Sequence, residues 1–339
     1  MNVLVVGGSN SRMQAGYTKW LVEELATLGR PVERFDNLAL GANSCLLGLV
    51  SLCEFEGEPH YDAVVIEYSV NDYAMMVSGD LPLWRAAYEG LLRQVCRRWP
   101  RALVCCVLLG RSNMEPALWA RQMEETHRIA SHYPAVVIAD AQAQARELGW
   151  PDERIYADPM HYSAEMQERA GRLAARCIAG RRQQDASMPA PLNDIVFDPV
   201  GLLDLGALDE PRSRTFSNSV VHMRTLELHL GERVNVQVPG APICIVFVSS
   251  QGCGSFRMVA GDREALVHTL HDGVRDGKHA FLPLSAYGTW WRDNRTDWRL
   301  TLFPVADAQG PADWPTFHVV PSAEPQPVVC FSKILYRLA

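Results

Sequence analysis

Two separated clusters in this 339-residue chain hold side chains that could together activate a hydroxyl: Gly7-Gly8-Ser9-Asn10-Ser11, and, far along the chain, Asp158-Pro159-Met160-His161. A serine hydroxyl is a poor nucleophile until a base takes its proton. An imidazole serves as that base when a carboxylate holds its tautomer and stabilises its charged form. Asp158 and His161 have the required types, and at three residues apart in a turn their side chains can meet. Each cluster taken alone has other readings. Ser9 can cap the helix that follows it or sit in a phosphate-cradling loop, and Asp is favoured in turns of any kind. The conjunction of the two points to nucleophilic chemistry.

Acyl transfer also needs donors aimed at the oxyanion that develops in the transition state. Gly41 can offer an unobstructed backbone N–H and Asn71 a side-chain amide, although Gly and Asn are also ordinary loop residues. Glu67, a charge at the end of an otherwise apolar run, is either an exposed strand end or a substrate contact. Arg111, Ser112 and Asn113 follow the next apolar run, where loops often carry function, so Arg111 and Asn113 are further pocket candidates.

The elements that would position these groups are legible in the pattern of apolar residues. Residues 3–6, 32–35, 63–67, 102–108 and 135–139 read as strands, and 14–28, 83–99, 116–133 and 164–179 as amphipathic helices. Strands alternating with helices predict an α/β domain of three layers, flavodoxin-like, around a parallel five-stranded sheet. In such a sheet Ser9, Gly41, Asn71 and Arg111 all follow strands and fall on the carboxyl edge, where open α/β folds bind ligands. The texture changes at Arg181-Arg182-Gln183-Gln184-Asp185, which is polar and then proline-bearing. The division expected is a first domain over 1–182, a linker over 183–195 and a second domain over 196–339. Beyond the linker, strict alternation at 225–230 and 233–238 and short runs at 243–248, 255–259, 265–270, 280–284, 298–303 and 328–338 predict a smaller all-β sandwich, jelly-roll-like. Trp290, Trp291 and Trp298, with polar neighbours, suit either a sugar-binding face or core packing.

Ser9, Gly41, Asn71 and His161 occur in the order and setting of the SGNH hydrolases, also called the GDSL family, which the first half of the chain resembles. Gly7-Gly8-Ser9-Asn10-Ser11 is similar to the family's Gly-Asp-Ser-x-Ser block, and Asp158 to His161 to its Asp-x-x-His block. The resemblance implies that Ser9 attacks, that His161 is base and then acid, and that Asp158 orients it. It likewise implies an oxyanion hole made of the N–H groups of Ser9 and Gly41 with the amide of Asn71. Gly8 stands where the family has Asp, and Ser69 where it has the Gly of a Gly-x-Asn-Asp block; neither is one of the four named positions, and both read as subgroup variation. The substrate class implied is a small-molecule or glycan acyl ester, acetylated carbohydrate included.

Composition narrows the alternatives. A net charge of −7 and a pI near 5.8 argue against nucleic acid as a partner. No apolar run is long enough for a membrane span, and the first residues enter a strand without a secretory pattern, so the reading is a cytoplasmic protein. Nine scattered cysteines without a CxxC pair, and histidines without ligand spacing, predict no metal site; no cofactor is expected. The expected function is a serine esterase. An O-acetyltransferase, with acetyl-CoA as donor substrate, uses the same chemistry, and a catalytically silent glycan- or protein-binding module is the alternative from another class. A nucleotide-binding protein ranks last, because the loop at Gly7 lacks a spaced glycine fingerprint and a P-loop lysine.

Overall fold

In the computed structural model, which describes residues 1–57, 59–181, 187–306, 310–321 and 327–338, the apolar runs of the first half pair as a parallel sheet. The strands are β1 (Asn2–Gly7), β2 (Arg34–Asn37), β3 (Ala63–Glu67), β4 (Leu103–Leu108) and β5 (Val136–Asp140), in the order β2-β1-β3-β4-β5. Between them run α1 (Ser9–Arg12), α2 (Tyr17–Thr27), α3 (Cys45–Glu54), α4 (Ser69–Val77), α5 (Leu81–Arg98) and α6 (Pro116–His132); α7 (Ala141–Glu147), α8 (Asp152–Ile155) and α9 (Ala164–Ala179) follow β5. A two-stranded ribbon of β6 (Tyr156–Asp158) and β7 (His161–Tyr162) lies between α8 and α9.

Val3, Val5, Val65, Cys105 and Val107 pack on one face against Tyr17, Leu21 and Leu25 of α2 and Met166, Ala170, Ala174 and Ile178 of α9. Their neighbours Leu4, Val6, Val64, Ile66, Val104 and Cys106 are buried on the other face, where α3 and α5 lie. Burial on both faces explains why these strands read as continuous apolar runs rather than alternating ones. The chain leaves β1 for β2 on one side and reaches β3 on the other, so the sheet order reverses at β1. That reversal opens a crevice at the carboxyl ends of β1 and β3.

Three expectations are corrected by the fold. β2 falls at 34–37 instead of 32–35: it is an edge strand with exposed side chains, and its register is set by pairing Asn2 with Arg34 through Val5 with Asn37. The short helices α1, α3 and α4 have no counterpart in the pattern of periods; α3 is buried on nearly every side and so shows no polar stripe. The third correction concerns the linker, whose residues 183–186 lie outside the described residues. The chain divides at Asp198 and Pro199, and the described part of the segment belongs to the first unit. Phe197 is fully buried with its N–H on the Ala86 carbonyl, Asp198 pairs with Arg93 and Arg97, and Glu89 accepts the N–H groups of Leu192 and Asn193.

The second unit, Pro199–Ala339, is antiparallel. Its strands are β8 (Val200–Asp204), β9 (Ser213–Ser217), β10 (His222–His229), β11 (Val234–Val238), β12 (Ala241–Ser250), β13 (Ser255–Ala260), β14 (Arg263–Val267), β15 (Leu270–His271), β16 (Phe281–Tyr287), β17 (Trp298–Val305), β18 (Val319–Val320) and β19 (Val328–Arg337). One sheet has the order β16-β12-β19-β10-β9, with β8 also on β19; the other has the order β11-β17-β13-β14. The ring of Phe256 on β13 lies 4.7 Å from Phe331 on β19 and 6.1 Å from Phe247 on β12, so the two sheets meet through their inner faces as a sandwich.

Candidate active site

Ser9 follows β1 directly, at the first residue of α1, and its Oγ lies 2.9 Å from His161 Nε2. The other ring nitrogen, Nδ1, lies 2.9 and 2.8 Å from the two carboxylate oxygens of Asp158. An ionised carboxylate only accepts, so the ring proton sits on Nδ1 and Nε2 is left to accept from Ser9. Burial works to raise the Asp158 pKa, but the Met160 N–H and the His161 ring outweigh it and hold the carboxyl below its ordinary value. The three side chains form one continuous relay of hydrogen bonds joining the end of β1 to the β6–β7 ribbon.

The ribbon is fastened to the nucleophile turn by a side chain that the sequence pattern does not single out. Asn10 Nδ2 donates to the Met160 carbonyl at 3.1 Å, and its Oδ1 accepts from Gln167 Nε2 at 3.0 Å. Gln167 Oε1 in turn accepts the Tyr17 N–H at 2.9 Å. Asn10 stands inside the Gly7 to Ser11 block, yet only a partner some distance along the chain reveals what it does.

Gly41 and Asn71 come to the same turn. A Cβ on Gly41 would lie 3.2 Å from the Ser9 Cβ, so this glycine lets the loop after β2 approach the nucleophile. Ala42 beside it holds a left-handed backbone with φ of 60°, an uncommon conformation for a residue with a side chain. Asn71, on the first turn of α4, is 1% exposed, and neither atom of its amide has a hydrogen-bond partner among the described residues. A Cβ on Gly8 would meet Asn71 Oδ1 at 2.2 Å, so the amide is packed against the nucleophile turn. That contact gives a physical reason for glycine at the position where the family pattern has Asp. Ser69 acts as a brace between strands. Its Oγ donates to the Leu109 carbonyl at 2.8 Å and lies 2.9 Å from the Leu109 N–H, joining the chain after β3 to the chain after β4.

Glu67 is neither an exposed strand end nor part of an open pocket. Its side chain is fully buried beneath the nucleophile turn and accepts from Ser11 Oγ at 3.1 Å, which also bonds the Tyr17 hydroxyl at 2.8 Å. Burial pushes its pKa up to about 8, only partly offset by the hydrogen bonds of Ser11 and Gly8, so the carboxyl is neutral at pH 7. Arg111 and Asn113 lie on the loop after β4, where Gly110 N–H donates to Tyr162 Oη at 2.9 Å and Ser112 N–H to the Pro159 carbonyl at 3.1 Å. These two bonds dock the loop on the chain to either side of His161. In the second unit, Trp290, Trp291 and Trp298 are buried, with Trp290 stacked on Trp298 at 5.5 Å, so they serve the core rather than a sugar-binding face. Among the described residues no cluster of histidine, cysteine or acidic side chains is placed to hold a metal ion, and no helix is long and apolar enough to cross a membrane.

No family model matches the sequence, and no curated protein matches it. Among solved structures it is similar to a two-domain esterase active on acetylated mannans. One structure of that protein, co-crystallised with mannopentaose, is 14% identical and gives a TM-score of 0.66, covering 98% of this chain and 90% of that one. A second gives 0.67 at 15% identity, covering 98% and 91%. Sheet order, block order and this likeness agree: the first unit of the chain has the fold of the SGNH/GDSL hydrolases, and a β-sandwich follows it.

Proposed function

We propose that this protein is a serine esterase that removes small acyl groups, acetyl foremost, from carbohydrate. The observation that carries the reading is the hydrogen-bonded relay of Ser9, His161 and Asp158 beside the unpartnered, buried amide of Asn71. Ser9 Oγ attacks the ester carbonyl carbon as its proton passes to His161 Nε2, and Asp158 stays ionised to balance the imidazolium. The oxyanion is held by the N–H groups of Ser9 and Gly41 and by the Asn71 amide, whose hydrogen-bonding capacity is unspent. Collapse breaks the bond to the sugar oxygen, which takes the proton from His161 and departs. Water then attacks the acyl-Ser9 carbonyl and gives a proton to His161; collapse breaks the bond to Ser9 Oγ, which takes that proton back from His161 as the free acid departs. Side chains and water complete the cycle. The choice of carbohydrate rests on analogy with the mannan-active esterase of like fold.

The test is turnover of p-nitrophenyl acetate and of acetylated manno- and xylo-oligosaccharides. Ser9→Ala is expected to lose activity by about 10³-fold or more with its melting curve unchanged. Near wild-type rates in Ser9→Ala would end the assignment. Transfer of acetyl from acetyl-CoA to the glycan, faster than hydrolysis, would instead make the enzyme an acyltransferase.

A further inference from the structure

Arg111 is half-buried, and among the described residues no carboxylate pairs with it. Its Nε donates to Asn113 Oδ1 at 2.7 Å, and its guanidinium lies over the Tyr73 ring, 5.1 Å from its centre. Tyr73 is itself held, because its hydroxyl accepts the Glu115 N–H. The acids of neighbouring segments are committed elsewhere. Asp158 serves His161 and Met160, Asp72 accepts from the Cys45 N–H and Trp84 Nε1, and Glu115 caps α6 through Ala117 and Leu118. The loop itself is docked on both sides of His161 through Gly110 and Ser112. A guanidinium taken partly out of water without a counter-charge is costly, and burial already depresses the Arg111 pKa. An arriving anion would relieve that cost.

We infer that Arg111 is a specificity residue that binds a carboxylate carried by the ester substrate, so that acidic esters are preferred over neutral ones. The inference rests on the esterase reading and names the substrate class of the same site. With Nε committed to Asn113 and the guanidinium seated over Tyr73, the two terminal nitrogens remain as a fork matched to a carboxylate. The carboxylate has two sources, the ring of an acidic sugar or the far end of a dicarboxylic acyl group.

The test compares kcat/KM for two pairs of esters, in the wild type, Arg111→Gln and Arg111→Lys. Acetylated oligogalacturonide is set against acetylated manno-oligosaccharide, and p-nitrophenyl hemisuccinate against p-nitrophenyl acetate. In one pair the wild type should favour the acidic member, and Arg111→Gln should cut that preference by about tenfold or more, mainly through KM. Arg111→Lys should restore part of it, because the charge returns without the fork. The pair that responds identifies the source of the carboxylate. A preference that is absent in the wild type, or identical in Arg111→Gln, overturns the assignment. Calorimetric binding of oligogalacturonide and of succinate to Ser9→Ala, with and without Arg111→Gln, reads the same contact without turnover. If no ester is turned over, the esterase reading fails, while Arg111 stands or falls on whether the substitution abolishes that binding.

Discussion

At Ser9 the hydroxyl already has its acceptor, His161 Nε2 at 2.9 Å, while the Asn71 amide nearby has none. A buried amide without partners costs roughly 1–3 kcal/mol, so this arrangement stores a cost that an oxyanion would relieve. Asn71→Ala should therefore lower kcat by about 10²–10³-fold with KM little changed, which steady-state kinetics will read; an unaltered kcat removes Asn71 from the site. Glu67 makes a different kind of demand. Its folded pKa is raised to about 8, so the native state holds a proton that the unfolded chain has lost above the ordinary carboxylate range. The stability it contributes is fully present in acid and is lost as pH rises from about 4.5 towards 8. Asp72, pushed up to about 7 by burial, acts in the same direction. Urea unfolding at pH 5 and pH 9 should show the wild type less stable at the higher pH. Glu67→Gln should lose distinctly less over that range, and equal losses would mean that Glu67 is not the buried acid responsible.

The elements around the site are held by side chains that cross between them. Asn10 ties the nucleophile turn to the β6–β7 ribbon and, through Gln167, to α9; Ser69 ties the start of α4 to the end of β4. These ties set where the His161 ring stands relative to Ser9, and a displacement of about 1 Å can cost on the order of 10²-fold in rate. Asn10→Ala is expected to lower kcat by about tenfold or more while the protein stays folded, with a loss of roughly 1–3 kcal/mol in stability. A pH–rate profile separates this from plain destabilisation, because a loosened His161 shifts the acid limb of kcat. An unmoved limb together with an unmoved rate would show that the ribbon keeps its place without Asn10.

At the scale of the whole molecule, the boundary between the two units decides what each can be without the other. The segment ending at Asp198 buries Phe197 completely and answers the charges of Arg93 and Arg97, and Glu89 spends both oxygens on it. A chain stopped at residue 182 would leave Glu89 and Arg93, both buried, without these partners and would open the Phe197 site. Losses of about 3–5 kcal/mol for a buried aromatic and a similar amount for a broken buried pair are large against the stability of an ordinary domain. A chain spanning residues 1–198 should melt cooperatively, whereas one spanning 1–182 should melt far lower or aggregate. Equal melting by calorimetry would return the segment to the status of a linker.

Much of this was written in the sequence. The apolar runs marked four of the five parallel strands and the sheet class, because burial on both faces demands continuous apolar side chains, whereas the exposed edge strand β2 carries no such run. The blocks holding Ser9, Gly41, Asn71 and His161 could be ordered along the chain because each follows a strand or precedes a helix. What local pattern cannot express is which distant group answers a polar side chain. The burial of Glu67, the tie from Asn10 to Met160 and the contact of Gly8 with Asn71 come from elements far apart in sequence. Likewise the stretch at 183–195 reads as a polar, proline-bearing connector, and only α5 supplies the Arg93, Arg97 and Glu89 that make residues 187–198 part of the first unit. Periodicity reports which side of an element meets the core, whereas hydrogen bonds and ion pairs depend on the three-dimensional neighbour, and that neighbour exists only once the sheet is assembled.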